Sequence, residues 1–201
     1  MIHDFHPTKR VLVETVSGLL DNRHLGDISV EEVLEASNVS KGSLYHHFED
    51  FQELLEITVV FRYEYWIDAS INFLQRRVVP SKTKDELRKA LLELTQVTQS
   101  DGRKGSRAER AQVLALCHKN SRLSKQMGEA TQRLTDAIAD VTDEVKNKGL
   151  FRESVSSSAL ATFIQAYTLG KIVNDHNPKA VKEDEWNAFV MEIVDRTFMA
   201  D

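Results

Sequence analysis

The chain has 201 residues, enough for a sizeable core in one large domain or two small ones. Hydrophobic residues make up 41%, which excludes a disordered chain, and with only 8 Gly and 3 Pro the composition excludes a turn-rich β fold. The net charge is -5, and the single Cys117 excludes an internal disulfide framework and suits a reducing, cytoplasmic location. No apolar run reaches the roughly 18 residues of a membrane span. The opening MIHDFHPTKR lacks the apolar core of a signal peptide.

The first predicted helix is Thr8 to Asn22, with Val11, Leu12, Thr15, Val16, Leu19 and Leu20 on one stripe. His24, Leu25 and Gly26 break it. The stretch Ile28 to Leu55, ISVEEVLEASNVSKGSLYHHFEDFQELL, then reads as two short helices joined by a tight turn and followed by a longer helix. That is the layout of a helix-turn-helix. Ser29 is placed to cap the first short helix, with Glu32 three residues later completing a capping-box pattern. Asn38 lies where the backbone must reverse, a position that calls for a positive φ; Gly takes it freely and Asn tolerates it. Val39 plugs the gap between the helices. Ser40 is a second N-cap and opens the helix Ser40 to His47. Leu44 and Phe48, four apart, share its inward face. Lys41, Gly42, Ser43, Tyr45, His46 and His47 occupy the rest of its surface.

A long helix is predicted from Asp50 to Val78, roughly 40 Å at about 1.5 Å per residue, stopped by Pro80. Asp85 to Ser100 is the fifth helix, DGRKGS a loop, and Arg107 to His118 the sixth. Ser121 caps a seventh that ends at Gly149. Ser156 to Asn174 is the eighth, HNP the break after it, and Lys182 to Met199 the ninth. The result is an all-α chain of about nine helices, divided into a three-helix head over 1-49 and a larger helical domain over 50-201.

The string VSKGSLYHHF, Val39 to Phe48, followed by ELL at Glu53 to Leu55, resembles the DNA-binding domain of the TetR family of transcriptional regulators. The resemblance covers Arg10 to Leu55, about a quarter of the chain; beyond that only length and helical pattern agree. It implies a homodimer whose paired N-terminal heads bind a palindromic double-stranded operator, with a C-terminal domain that binds a small effector. Two positions depart from the family pattern. Asn38 stands where Gly is commonest. Phe51 stands where a Lys often opens the fourth helix and holds a phosphate, so that backbone contact is lost and Phe51 is expected to pack against the head.

The expected DNA contacts are Ser29, Ser40, Lys41, Gly42, Ser43, Tyr45, His46 and His47. Charge opposes this reading. Met1 to Phe51 holds four Lys or Arg against nine Asp or Glu, so the whole deficit sits in the head. Placement softens the objection. Ala36 to Phe48 contains no acid, and Glu31 and Glu32 lie at the positive end of the preceding helix. Binding is therefore expected to use helix N-termini, hydroxyls and Tyr45 more than lysines, with weak non-specific affinity.

In the larger domain the aromatic residues Phe61, Tyr65 and Trp66, with Cys117, Met127, Phe163 and Tyr167, are candidates for an effector pocket; an ordinary aromatic core is the other reading. Ala166 and Gly170 allow close helix approach, and Trp186, Phe189, Val190 and Ile193 make an apolar stripe, so these six are candidates for a dimer interface or, equally, for core. His46 and His47 are adjacent and point about 100° apart on a helix, so they do not pair on one metal. No metal, cofactor or catalytic set is expected: glycine-rich phosphate loop, GxSxG and HExxH are all missing from the sequence. The expected function is a ligand-responsive regulator, a repressor released by an apolar or aromatic effector. The alternative is a helical interaction or scaffold protein whose helix-turn-helix no longer binds DNA.

Overall fold

A computed structural model describes residues 5-200. The chain forms two compact units, Met1–Trp66 and Ile67–Asp201. The first unit holds α1 (Pro7–Leu19), α2 (Val30–Ser37), α3 (Lys41–His47) and most of α4 (Phe51–Phe73). The division falls inside α4 and not at 49/50, because Leu54 and Leu55 are buried in the core of the head, with Phe51, Ile57 and Phe61 packed against it. Phe51 does what its apolar side chain demands.

Each helix of the head has a local cause. Pro7 sits at the start of α1, and His6 caps it by accepting the Thr8 amide on Nδ1 at 3.3 Å. Its buried side is Leu12, Val13 and Val16, and Val11 is exposed, so the stripe is rotated from the expected one. Ser29 caps α2 by accepting the Glu32 amide at 3.3 Å. The reciprocal half of the capping box is not made, because the Glu32 carboxylate pairs with Arg23. α2 ends at Asn38, the one non-glycine residue with positive φ among those described, at φ 54° and ψ 31°. Ser40 then caps α3, accepting the Ser43 amide at 3.2 Å. Leu44 is 0% and Phe48 2% exposed, so α3 is held by both ends of its apolar face. Truncating such a buried Leu costs about 2–5 kcal/mol. Arg62 ties α4 to α1, donating to the Ser17 carbonyl at 2.6 Å and to Asp21 Oδ1 at 2.8 Å.

The second unit contains the end of α4, α5 (Lys84–Gln99), α6 (Lys104–Cys117), α7 (Ser121–Asn147), α8 (Ser157–Gly170), α9 (Ile172–Asp175) and α10 (Glu183–Ile193). α7 packs on α6 and α8, and α5 on α10. Two helices end in π-helical turns, Leu74–Val78 after α4 and Val194–Phe198 after α10. DGRKGS is largely helical rather than a loop: Asp101–Arg103 forms a 3₁₀ turn that runs into α6. Asn120, not Ser121, caps α7, its Oδ1 accepting the Leu123 amide at 3.0 Å. Gly149 closes that helix at φ 70°, as a residue after a helix end should.

The expected eighth helix breaks at Gly170, and a buried ion cluster marks the place. Arg107, fully buried, donates from Nε and Nη2 to both Asp175 oxygens at 2.6 Å and from Nη1 to the Ser100 carbonyl at 3.1 Å. Arg107 holds the Asp175 carboxyl below its usual range by hydrogen bonding first and by charge as well. Lys171, also buried, donates to the Gln99 carbonyl. Burial, then the neighbouring Arg107, lowers its pKa. These bonds join α6 to α9. Breaking one partner would strand a buried charge, which typically costs about 3–5 kcal/mol.

Asn38 gives the fold its first test. Asn38→Ala should destabilise the head by about 1 kcal/mol, because alanine resists the left-handed region, whereas Asn38→Gly should be neutral or stabilising. Urea unfolding followed by circular dichroism measures both. Equal stability of the Ala variant and the parent would contradict the strain argument.

Candidate functional site

The surface of α3 is built around its two buried anchors. With Leu44 and Phe48 turned inward, Lys41, Gly42, Tyr45 and His46 are exposed, and Ser43 and His47 are half-buried at the rim. Tyr45 is 44% exposed although its ring is large and apolar. Ser40 is exposed, and its hydroxyl oxygen is occupied as the cap of α3. Ser29 is exposed at the start of α2 and is likewise occupied as a cap. The structure thus brings Ser40 through His47 onto one short helix with no acid on it.

Two residues that sequence reasoning left out complete this surface. His6 stacks on His47, with ring centroids 4.6 Å apart, and the His46 ring meets His47 edge-on at 5.1 Å. Lys9 lies 5.0 Å from the Phe48 ring centroid and 5.1 Å from that of Phe5. A cation is therefore placed beside the end of α3 by aromatic contacts rather than by an acid. Desolvation lowers the pKa of His47, and the positive potentials of His6, His46 and Lys9 lower it further. The i,i+3 relation of His6 to Lys9 on one side of α1 was the available signal.

The second candidate site is an apolar cavity of about 290 Å³ in the second unit. Its wall takes Leu91, Leu94 and Thr95 from α5, Ile138, Val141, Thr142 and Val145 from α7, Phe163, Ile164 and Tyr167 from α8, and Trp186, Phe189, Val190 and Ile193 from α10. Both π-helical turns border it, through Leu74 and Val78 and through Val194 and Phe198. The widened turns bond i to i+5, Val79 to Leu74 at 3.2 Å and Met199 to Val194 at 3.1 Å. Such turns recur where a helix is bent to make room at a working site. Of the wall side chains only Thr95, Thr142, Tyr167 and Trp186 carry a polar atom, and burial keeps the Tyr167 phenol neutral by raising its pKa.

Of the residues expected to line a pocket, Phe163 and Tyr167 do so. Phe61 packs against the head core, Tyr65 is 73% exposed, and Trp66 sits 5.5 Å from Tyr63. Cys117 is half-buried, its thiol donating to the Val113 carbonyl at 3.4 Å, and burial raises its pKa. Met127 is buried at 2% exposure. None of these five borders the cavity. Four residues expected at a dimer interface, Trp186, Phe189, Val190 and Ile193, form part of its wall. Ala166 and Gly170 are exposed on α8, and Phe189 keeps 57% exposure, so the outer side of α8 and α10 is still unclothed.

No family model matches the chain. No curated protein sequence matches it either. Solved structures match it over nearly the full length. A TetR-family regulator from Mesorhizobium loti superposes with a TM-score of 0.73 at 14% identity, covering 96% of this chain and 97% of that one. A transcriptional regulator from Saccharomonospora viridis in complex with choline gives 0.68 at 15% identity, covering 96% and 98%. A TetR-family regulator from Cytophaga hutchinsonii gives 0.64 at 18% identity, covering 92% and 90%. The capped α2–Asn38–α3 head, the helical second unit and these superpositions lead to one statement: this chain has the all-α fold of the TetR-family transcriptional regulators.

Proposed function

We propose that this chain is a ligand-responsive transcriptional repressor, acting in the cytoplasm, that reads a palindromic operator through α3 and releases it when a small uncharged apolar molecule fills the cavity. The observation that carries the reading is the acid-free, exposed face of α3, pinned from behind by Leu44 and Phe48, in a chain whose net charge is -5. Acids crowd the rest of the head, and two of them are already neutralised, Glu32 by Arg23 and Asp21 by Arg62. Tyr45, Ser43 and the hydroxyl hydrogen of Ser40 then serve phosphates, and Lys41 and His46 stand at the DNA surface within reach of base edges.

A second copy of the chain is the natural cover for the bare outer side of α8 and α10, where Phe163 and Phe189 are 43 and 57% exposed and Val173 of the intervening α9 is 77% exposed. Two-fold pairing there would match the two-fold symmetry of a palindrome. Coupling between the sites needs no new element. The helix that begins in the head core with Leu54 continues, through α4 and its π turn, to Leu74 and Val78 in the cavity wall. A ligand shifts operator affinity only as far as it favours one arrangement of that helix over another.

Selection of random duplexes by the full-length protein should enrich a palindrome. Tyr45→Ala should then lower affinity for it at least about tenfold, roughly 1.4 kcal/mol, with an unchanged helical spectrum. If no duplex is enriched, the chain is an interaction protein and the regulator reading fails; if affinity survives Tyr45→Ala, α3 is not the reader.

Salt and pH test the charge argument. With so few lysines, log affinity should fall with log salt at a slope of about 4 to 6 for a dimer at pH 7.5. Desolvation and its positive neighbours lower the His47 pKa, so it gains its charge further into acid than an ordinary histidine. The slope should therefore stay shallow through neutral pH and steepen only on further acidification. The folded head binds fewer protons than the unfolded chain in that window, so its stability should fall with the same acidification. A steep slope at pH 8 would mean that basic residues outside the head reach the DNA.

A further inference from the structure

Four basic side chains meet beside the end of α3, and among the described residues none of them is paired with an acid. His6 is the cap of α1, Lys9 lies in the first turn of that helix, and His46 and His47 close α3. The His6 and His47 rings stack at 4.6 Å, the His46 ring meets His47 edge-on at 5.1 Å, and Lys9 is held 5.0 Å from the Phe48 ring. The charges that act on His47 are those of His6, His46 and Lys9, all positive. Acids on the neighbouring elements do not answer them. Glu31, Glu32 and Glu35 of α2 do not act on His47, and neither do Glu49, Asp50 and Glu53 around the start of α4. Two of these serve backbone: the Asp50 carboxylate accepts the Glu53 amide at 2.6 Å, and the Glu53 carboxylate accepts the Glu49 amide. A proton added to this group therefore meets only repulsion until an anion arrives. His6 is ready for one. Its Nδ1 accepts the Thr8 amide, so its own N–H sits on Nε2 and can be donated without loss of the cap.

We propose that His6, Lys9 and His47 form a phosphate site beside α3, which takes a backbone phosphodiester of duplex DNA and takes up a proton as it does so. This rests on the reading of the head as a DNA-binding unit and adds to it a contact made by α1 and a linkage to pH. The ligand is a phosphate of a duplex rather than a free anion because the site is open. His6 is exposed and Lys9 and His47 are half-buried, so a free phosphate would stay hydrated there. A duplex already laid along α3 presents its next phosphates at high effective concentration. Lys9 supplies a fixed charge, His6 a donor, and His47 a charge that arrives with the proton. The direction of the linkage follows. In the free head the positive neighbours and desolvation keep the proton off His47, and a phosphate reverses that field. The bound head then holds more protons than the free head, so DNA affinity rises as pH falls. The unfolded chain also holds more protons than the free head, so its stability falls over the same range. Opposite movements of affinity and stability separate proton uptake from loss of fold.

The test is fluorescence anisotropy of the full chain at constant salt, from about pH 8 to about pH 6, on two labelled duplexes, the one enriched by selection and an unrelated one. Affinity for both should rise at least about tenfold across that range. Calorimetry in two buffers of different ionisation enthalpy should count about one proton taken up per head in its acid half. His47→Gln should cut the rise to about threefold or less. Lys9→Met keeps the apolar stem against Phe5 and Phe48. It should weaken both duplexes about equally and lower the salt slope by about 0.9 per head. Urea unfolding at each pH confirms that parent and variants are folded. An affinity that is constant with pH, that falls with stability, or whose rise survives His47→Gln overturns the proposal. So does a salt slope that Lys9→Met leaves unchanged. Proton-linked binding of the unrelated duplex with no palindrome enriched keeps the phosphate site and removes the operator reading. No binding of either duplex removes both.

Discussion

Everything exposed on α3 depends on two side chains that are not. Leu44 and Phe48 lie against α1, α2 and the start of α4, and their burial fixes which residues of a seven-residue helix face outward. A helix that short has little stability of its own. Its order comes from these contacts and from the reversal at Asn38, whose left-handed backbone sets the direction in which the chain leaves α2. Rotate α3 by one residue and Tyr45 would be buried in place of Leu44. The acidic head can still offer a neutral-to-basic face because packing, rather than overall charge, decides what that face contains. Lys9, held between the Phe5 and Phe48 rings, adds to it without needing an acid nearby.

The second unit solves a different problem, keeping a space open inside a helical bundle. Protein interiors close up to crystal-like density unless something prevents it. Here both helices that end in π turns do so at the cavity wall. On the other side, the buried Arg107–Asp175 pair and Lys171 fix the break between α8 and α9. That cluster lies about one helical turn beyond Thr95 and Tyr167 and outside the cavity, whose own wall is apolar apart from Thr95, Thr142, Tyr167 and Trp186. The space of about 290 Å³ is bounded almost wholly by apolar side chains.

The head was legible residue by residue because its signals are local. Ser29, Asn38 and Ser40 act on backbone within three residues of themselves, and the i,i+4 pair Leu44 and Phe48 needs only helical periodicity. Phe51 was readable for the same reason, as an apolar residue at a position open to the head core. The cavity was only half legible. Phe163 and Tyr167 belong to it, but so do residues of α5, α7 and both π turns, which meet only through contacts distant in sequence. Trp186, Phe189, Val190 and Ile193 form a stripe whose period says that it faces something apolar and cannot say whether that is a cavity or another chain. Tyr65 and Trp66 lie away from the cavity, and aromatic spacing on a long helix carries no information about which unit the residue serves. The π turns had no sequence signal, and the predicted helices run straight through them. Arg107 looked like a helix start rather than a buried cation, since its partner Asp175 lies 68 residues away.

The central claim is that α3 is the surface that meets DNA. Hydrogen exchange of the full chain, with and without a saturating amount of the duplex enriched by selection, tests it most directly. The account predicts that peptides spanning Val39 to Phe48 gain the largest protection on DNA binding. Saturated binding with exchange unchanged there, and protection appearing only in the second unit, would contradict it.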